Sequence, residues 1–339
     1  MTTRPEARVE VRSPGRVNLI GDHTDYTGGL VLPMAIDRYT TLIGTSGGNR
    51  VRLRSDAEPD PVDLPLHLDD PSTVTPHWGR YVAGVVAEVA PSSGLEGAVH
   101  TTIPVGAGLS SSAALETAVA LALGVGGDAR TVAELCRRAE IRASGVPCGI
   151  MDQLSIAAGV DGHALLIDCQ SLEIAVVPVP DDLDVVVWFV THRTLVGSAY
   201  ADRVAECAAA EREIGPLRLA SIGDTASIGD ELVRARARHV VTENERVRAF
   251  AAALAADDRR ELGRLMLEGH RSLATRFATS TPTMDDAVAH LASQPGVHGA
   301  RMTGGGFGGC VVALAEPGSI APADDRWIVR PVGGAARIS

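Results

Sequence analysis

Apolar and polar residues alternate over residues 9–12 and again at 30–32, 39–44 and 51–54, which predicts a β-rich start built from short strands. Residues 56–76 break the pattern, and their Pro and Asp content predicts a surface loop with little regular structure. From 78 to 89 apolar positions recur at helical spacing and predict the first long helix. Residues 98–103 alternate as a strand that runs into a loop of small residues, after which 113–123, rich in Ala and Leu, read as a helix. Another helix is expected over 131–144, capped by Asp128 or Thr131, then a break at 145–153 and a short helix over 154–158. Paired strands at 164–167 and 174–178 precede a continuous apolar strand at 185–190. Helices then dominate: 198–214, 230–256 with a break, 259–276, and 284–293 after Pro282. Two strands within 297–314, joined by a glycine-rich turn, close the pattern. The change of texture near 180–184 predicts two domains, 1–182 and 183–339.

Composition narrows the function. The chain has 339 residues, 45% of them hydrophobic but only 3% aromatic, so its cores rest on Ala, Val and Leu. The formal charge of -11 argues against nucleic-acid and anionic-membrane partners, which require a basic footprint. All 31 basic residues are arginine. Without lysine there is neither a Walker A loop nor a protein-kinase strand lysine, so bound phosphates must be held by backbone N–H groups, a helix N-terminus, a metal or arginine. Cys136, Cys148, Cys169, Cys207 and Cys310 are dispersed without a CxxC pair, as in a reduced cytoplasmic protein. The first ten residues lack an apolar run and no stretch reaches a membrane span, which again leads to the expectation of a cytoplasmic protein.

Three stretches carry chemistry. Residues 14–33, PGRVNLIGDHTDYTGGLVLP, load Arg16, Asp22, His23 and Asp25 into a glycine-rich, loop-like segment suited to holding a polyhydroxylated molecule. The run Gly106, Ala107, Gly108, Leu109, Ser110, Ser111 and Ser112 lies between a predicted strand and a predicted helix, where small residues, free N–H groups and the helix dipole favour a phosphate. Asp152, in GVPCGIMDQ, sets a carboxylate at a helix start beside apolar residues. By contrast, the arginine- and glutamate-rich stretch from 234 to 248 reads as a solvated helix face. Gly304, Gly306 and Gly309 satisfy GxGxxG, but a strand follows where a dinucleotide fingerprint needs a helix.

With these motifs in order, followed by RMTGGGFGGC from Arg301, the chain resembles the galactokinase family, within the superfamily that includes homoserine, mevalonate and phosphomevalonate kinases. The resemblance implies an α+β fold of two domains. The first is an N-terminal α/β domain like ribosomal S5 domain 2, the second a C-terminal ferredoxin-like domain, and the active site lies in the cleft between them. It implies ATP and Mg²⁺, galactose as substrate, and phosphorylation of its C1 hydroxyl. Asp152 would face that hydroxyl, mainly orienting it and accepting its proton late, while Arg16 stands between it and the γ-phosphate. Asp22, His23, Asp25, Gly149 and Tyr200 would bind the sugar. The loop from Gly106 to Ser112, together with Gly304, Gly305 and Gly306, would hold ATP, and Ser112 and Glu140 would hold the metal. Two departures stand out. Asp22 occupies the position where most of the family has Glu, receiving the sugar's 6-hydroxyl. After residue 314 there is no room for the usual helix, so a sheet face is expected to be exposed or covered by a partner. Alternatives are a kinase of N-acetylgalactosamine or arabinose, and a non-catalytic galactose and ATP sensor. A monomer or weak homodimer is expected.

Overall fold

The computed structural model describes residues 7–192 and 196–339; the first six residues, part of the stretch read above as carrying no apolar leader, lie outside it. Among the described residues, thirteen strands and eight α-helices follow in the order β1 (Ala7–Asn18), β2 (Leu30–Val31), β3 (Pro33–Ser46), β4 (Arg50–Ser55), β5 (Val62–Pro65), α1 (Gly79–Val89), β6 (Leu95–Thr101), α2 (Ser111–Ala122), α3 (Ala129–Ser144), α4 (Met151–Ala158), β7 (His163–Asp168), β8 (Ile174–Pro178), β9 (Asp184–Thr191), α5 (Val196–Ile214), α6 (Glu231–Ala255), α7 (Arg259–Ser272), α8 (Pro282–Ala292), β10 (Val297–Thr303), β11 (Gly309–Ala315), β12 (Arg326–Val329) and β13 (Ala336–Arg337). No helix among the described residues is long and apolar enough to cross a membrane.

The first half holds a six-stranded sheet in the order β13-β1-β3-β6-β4-β5, with helices α1, α2 and α3 packed on it, and a smaller sheet β2-β7-β8. Val9, Val11, Leu42, Leu53, Val82, Val86, Val119 and Leu95 form one core between this sheet and its helices, all within 1% of full burial. Residues 15–18, expected as loop, continue β1 after a register shift between Pro14 and Gly15, so Arg16 stands on a strand. The segment 56–76 also differs from expectation. Val62 and Leu64 are buried in alternation with exposed Asp63 and pair β5 with β4, because two apolar side chains suffice to anchor an edge strand despite flanking prolines. Asp128 caps α3 as expected, accepting the Thr131 N–H at 2.8 Å.

The second half is a four-stranded antiparallel sheet in the order β10-β11-β9-β12. Counted along the chain this is 2-3-1-4, the ferredoxin-like arrangement, with a strand but no helix after β11. Neither face is bare, contrary to the expected exposed or partner-covered sheet. Val186, Val311 and Ala313 pack with α5, α6 and α8, while Val185, Val187 and Val312 pack with α7, the end of α6 and the first half of the chain. Helix α6 runs unbroken for 25 residues, since nothing in its sequence breaks the backbone ladder. The tail returns to the first half: Val332 N–H donates to Ala35 O at 3.1 Å, Gly334 N–H to Gly159 O at 2.8 Å, and β13 pairs with β1.

Candidate active site

A cavity of about 650 Å³ opens between the two halves, walled by residues of β1, the 106–112 loop, α3 and α4 on one side and by Tyr200, Gly304 and Gly305 on the other. At its centre Arg16, 3% exposed, donates from Nε to Asp152 Oδ1 at 2.8 Å and from Nη1 to the carbonyl of Gly108 at 2.6 Å. The other Asp152 oxygen, Oδ2, accepts the Ser110 hydroxyl at 2.5 Å. Strand β1 and the loop are stitched together by the Arg16 N–H to Leu109 O bond at 3.2 Å, so the guanidinium is delivered from rigid backbone. It therefore links the small-residue loop to the carboxylate.

The loop itself turns through left-handed backbone at Gly106 and Gly108, φ 77° and 80°, and at Ser110, φ 61°. Ser110 is not glycine, so this conformation is strained, and it aims the hydroxyl at Asp152. No side-chain bond caps the N-terminus of α2, which leaves its first N–H groups facing the cavity, a setting that favours an anion. Of the loop residues, Gly106, Gly108, Ser110, Ser111 and Ser112 line the cavity. Ala107 and Leu109 do not: both are fully buried with their side chains in the core, and only their backbones face the loop. Gly305 and Gly304 line the wall, whereas Gly306 packs against Thr279, whose carbonyl would lie 2.5 Å from a Cβ there.

The end of the cavity beyond Asp152 is aromatic and acidic. His23, also left-handed at φ 67°, has its ring centroid 4.7 Å from Phe277 and 5.6 Å from Tyr200, and its Nδ1 lies 3.1 Å from the Tyr26 hydroxyl. Asp25 follows at the start of a short 3-10 turn. Removal from water and the nearby charge of Asp152 push its carboxyl up to about 7. Gly149 lies against it so closely that any Cβ there would collide with the Asp25 carboxylate, which explains why this position carries no side chain. Burial pushes the Tyr200 hydroxyl well above its ordinary range.

Asp22 also lines the cavity, with its carboxylate engaged by protein donors. Its side chain is 1% exposed, against 30% for Asp152, and Arg301 Nη2 donates to its Oδ2 at 2.7 Å while Gly304 N–H donates to its Oδ1 at 2.7 Å. Arg301 also bonds Glu243 Oε1 at 2.9 Å. Burial lifts Asp22 above the usual carboxylate range. Burial acts the same way on Glu243, but there Arg301 and Arg246 outweigh it and hold the group well below that range.

On the far wall, Ser112 Oγ donates to Glu140 Oε1 at 3.0 Å, and Gln153 Nε2 donates to the other Glu140 oxygen. Burial and Asp152 push Glu140 up to about 7, and burial with Glu140 pushes the neighbouring Glu116 well above its range. Among the described residues no three ligating His, Cys, Asp or Glu side chains surround one point. One hydroxyl and one carboxylate on a cavity wall suit a hard cation that keeps most of its water and takes phosphate oxygens, which is how Mg²⁺ behaves. The remaining end of the cavity, walled by His77, Trp78, Tyr81 and Thr101, had no motif to announce it. Neither Ser110 as an Asp152 partner nor the Arg301 network was anticipated. The only advance signals were the serine run and the arginine preceding the last glycine motif.

Three family descriptions match the chain: the galactokinase galactose-binding signature over residues 3–45, the GHMP kinase N-terminal domain over 80–160 and the GHMP kinase C-terminal domain over 250–326. The chain is 43% identical to the galactokinase of Bos taurus over 92% of this chain and 84% of that one. It is 42% identical to that of Homo sapiens over 98% and 89%. The crystal structure of Lactococcus lactis galactokinase complexed with galactose superposes with a TM-score of 0.89 at 30% identity, over 97% of this chain and 95% of that one. Methanococcus jannaschii mevalonate kinase, 18% identical, shares the fold with a TM-score of 0.71 over 96% and 99%.

Proposed function

Because the chain belongs to the galactokinase family and phosphorylates galactose, we propose that its cavity holds ATP and galactose head to head, with transfer to the sugar's C1 hydroxyl at Asp152. The observation that carries this reading is the chain of contacts from Gly108 O through Arg16 to Asp152 and Ser110. It joins an anion-binding loop to one reachable carboxylate across a single buried cation.

Phosphoryl transfer depends on positioning and on stabilising charge that spreads over the moving group, more than on covalent help. Arg16 supplies a fixed positive charge beside the phosphate loop. Asp152 orients the C1 hydroxyl and accepts its proton late, as the oxygen bonds to phosphorus. Asp22, His23, Asp25, Gly149 and Tyr200 form the sugar end, and the Gly106 to Ser112 loop with Gly304 and Gly305 the phosphate end. The His77, Trp78 and Tyr81 wall is the base end, where rings offer a stacking surface. Ser112 and Glu140 are the residues that would hold Mg²⁺, which when bound neutralises phosphate charge.

The domain boundary is read at 182/183, between β8 and β9, with residues 331–339 crossing back to the first domain. A monomer or weak homodimer is the assembly we expect. Cys136, Cys148, Cys169 and Cys207 are thiols rather than disulfides, which fits a cytoplasmic protein. The test is ADP release at fixed ATP, with and without Mg²⁺, across galactose, N-acetylgalactosamine, arabinose and uronic acids. Fastest turnover on galactose, lost with the metal, is expected. Absence of turnover on galactose would retire the reading.

A further inference from the structure

Helix α7 ends in a π turn, Leu273–Phe277, an irregularity that recurs where a helix serves a functional site. The turn closes at Ala278, left-handed at φ 54°, whose N–H returns to Leu273 O, and the Phe277 side chain is fully buried. Its ring stands between two imidazoles, with centroids 4.7 Å from His23 and 4.5 Å from His239 and planes tilted by 42° and 40°. The backbone of the turn is clamped from α5 and α6. Arg203 Nη1 donates to Phe277 O at 3.1 Å, and Arg236 Nη1 donates to Arg276 O. Glu206 holds both arginines, accepting from Arg203 Nη2 at 2.7 Å and from Arg236 Nε at 2.8 Å. His239 is fixed in turn, with Ser272 Oγ 2.9 Å from its Nδ1 and Asp22 O 3.2 Å from its Nε2.

We propose that Phe277 is a positioning residue for the reaction: its buried ring, delivered by the π turn, sets the plane in which the His23 imidazole meets the sugar. The proposal rests on the reading of His23 as a sugar ligand. His23 needs such support because its own backbone is left-handed at φ 67°, a conformation that a residue other than glycine keeps only where its surroundings hold it. Tyr26 and Tyr200 flank the same imidazole with centroids at 5.9 and 5.6 Å, so Phe277 at 4.7 Å is the nearest of these rings. A tilted aromatic pair at that distance favours particular ring orientations, which an aliphatic side chain of similar bulk does not. The support comes from the second half of the chain and the imidazole from the first, so the sugar ligand is aligned across the same division that the cavity spans.

The test is a double-mutant cycle. Phe277→Leu keeps apolar bulk and removes the ring, while His23→Asn removes the imidazole and still tolerates left-handed backbone. KM for galactose, KM for ATP and melting temperature are measured on wild type, both single variants and the double variant. Phe277→Leu alone is expected to raise KM for galactose about tenfold and to leave KM for ATP within about threefold. In the His23→Asn background the same substitution should change KM for galactose by less than about threefold, because the imidazole it positions is gone. A purely structural role would lower the melting temperature and give independent, multiplying effects on KM in the cycle, which overturns the proposal. So does a galactose KM within about threefold of wild type in folded Phe277→Leu, or an equal rise in both Michaelis constants. If Phe277→Leu does not fold, Phe277→Met fills the same space with a flexible chain and carries the same expectations. An unchanged galactose KM in His23→Asn would strike the reading of His23 as a sugar ligand instead.

Discussion

Arg16 and Asp152, 136 positions apart in sequence, meet through one oxygen: Nε and Nη2 of the arginine lie 2.8 and 2.6 Å from Asp152 Oδ1. That leaves Oδ2 to Ser110 and to the cavity. Asp152→Asn preserves the shape but not the charge, and its amide nitrogen cannot accept from Ser110 or a sugar hydroxyl. The expected loss in kcat is about 10²-fold to 10⁴-fold, the usual range for a positioned proton acceptor, with KM for galactose still measurable. Steady-state kinetics check it, and near-normal kcat would remove Asp152 from the chemistry.

Ser110 separates two roles that its sequence context leaves merged. A phosphate ligand raises KM for ATP when lost, whereas a residue that holds Asp152 in line lowers kcat. Because its hydroxyl is spent on Asp152 at 2.5 Å, Ser110→Ala is expected to lower kcat by about tenfold or more and to leave KM for ATP within about threefold. Ser110→Gly, which relaxes the left-handed backbone, is expected to lose the same factor. Recovery of activity in the glycine variant would point to backbone strain instead of the hydroxyl.

Asp25 links stability to pH. Its carboxyl is raised from 3.8 to about 7 by burial and Asp152, so the folded state holds a proton that the unfolded chain releases. The resulting stabilisation is complete below about pH 4 and is lost as pH rises to about 7, by up to about 4 kcal/mol. Melting temperatures of the ligand-free protein from pH 5 to 8 should fall more steeply in wild type than in Asp25→Asn. Parallel curves would contradict the shift.

Gly149 reports on the same carboxylate from outside. Gly149→Ala forces a Cβ into Asp25, which must rotate or move. The expected effect is an increase of about tenfold or more in KM for galactose with KM for ATP little changed, since the phosphate loop is not touched. Equal changes in both constants would mean the disturbance spreads through α4.

Periodicity and punctuation made most elements legible, since a strand or helix that buries one face must repeat its apolar positions. Asp128 is the clearest case, a cap written in a local sequence and found in place. Edge strand β5 was hidden because Val62 and Leu64 sit among prolines and aspartates. The site divides the same way. Glycines, serines and the acidic cluster are local signals, and they brought Arg16, Asp25, Gly149 and Asp152 to one cavity. The Asp22 to Arg301 pair spans 279 positions, and no local pattern encodes which distant guanidinium a buried carboxylate will meet. Likewise, Ala107 and Leu109 match the phosphate motif by position, yet their methyl-bearing side chains are drawn into the core by the hydrophobic effect.

The pairing of β1 with β13 sets an order of events during synthesis. Strand β1 is made before the rest of its sheet, but the neighbour that covers its outer edge follows the other described strands in the chain. The first domain can collapse on β3, β6 and its helices while translation continues, with one edge open to chaperones or to another nascent chain. Closure of that edge is a late, long-range event, so β13 acts as a seal on a sheet whose other strands are made before it.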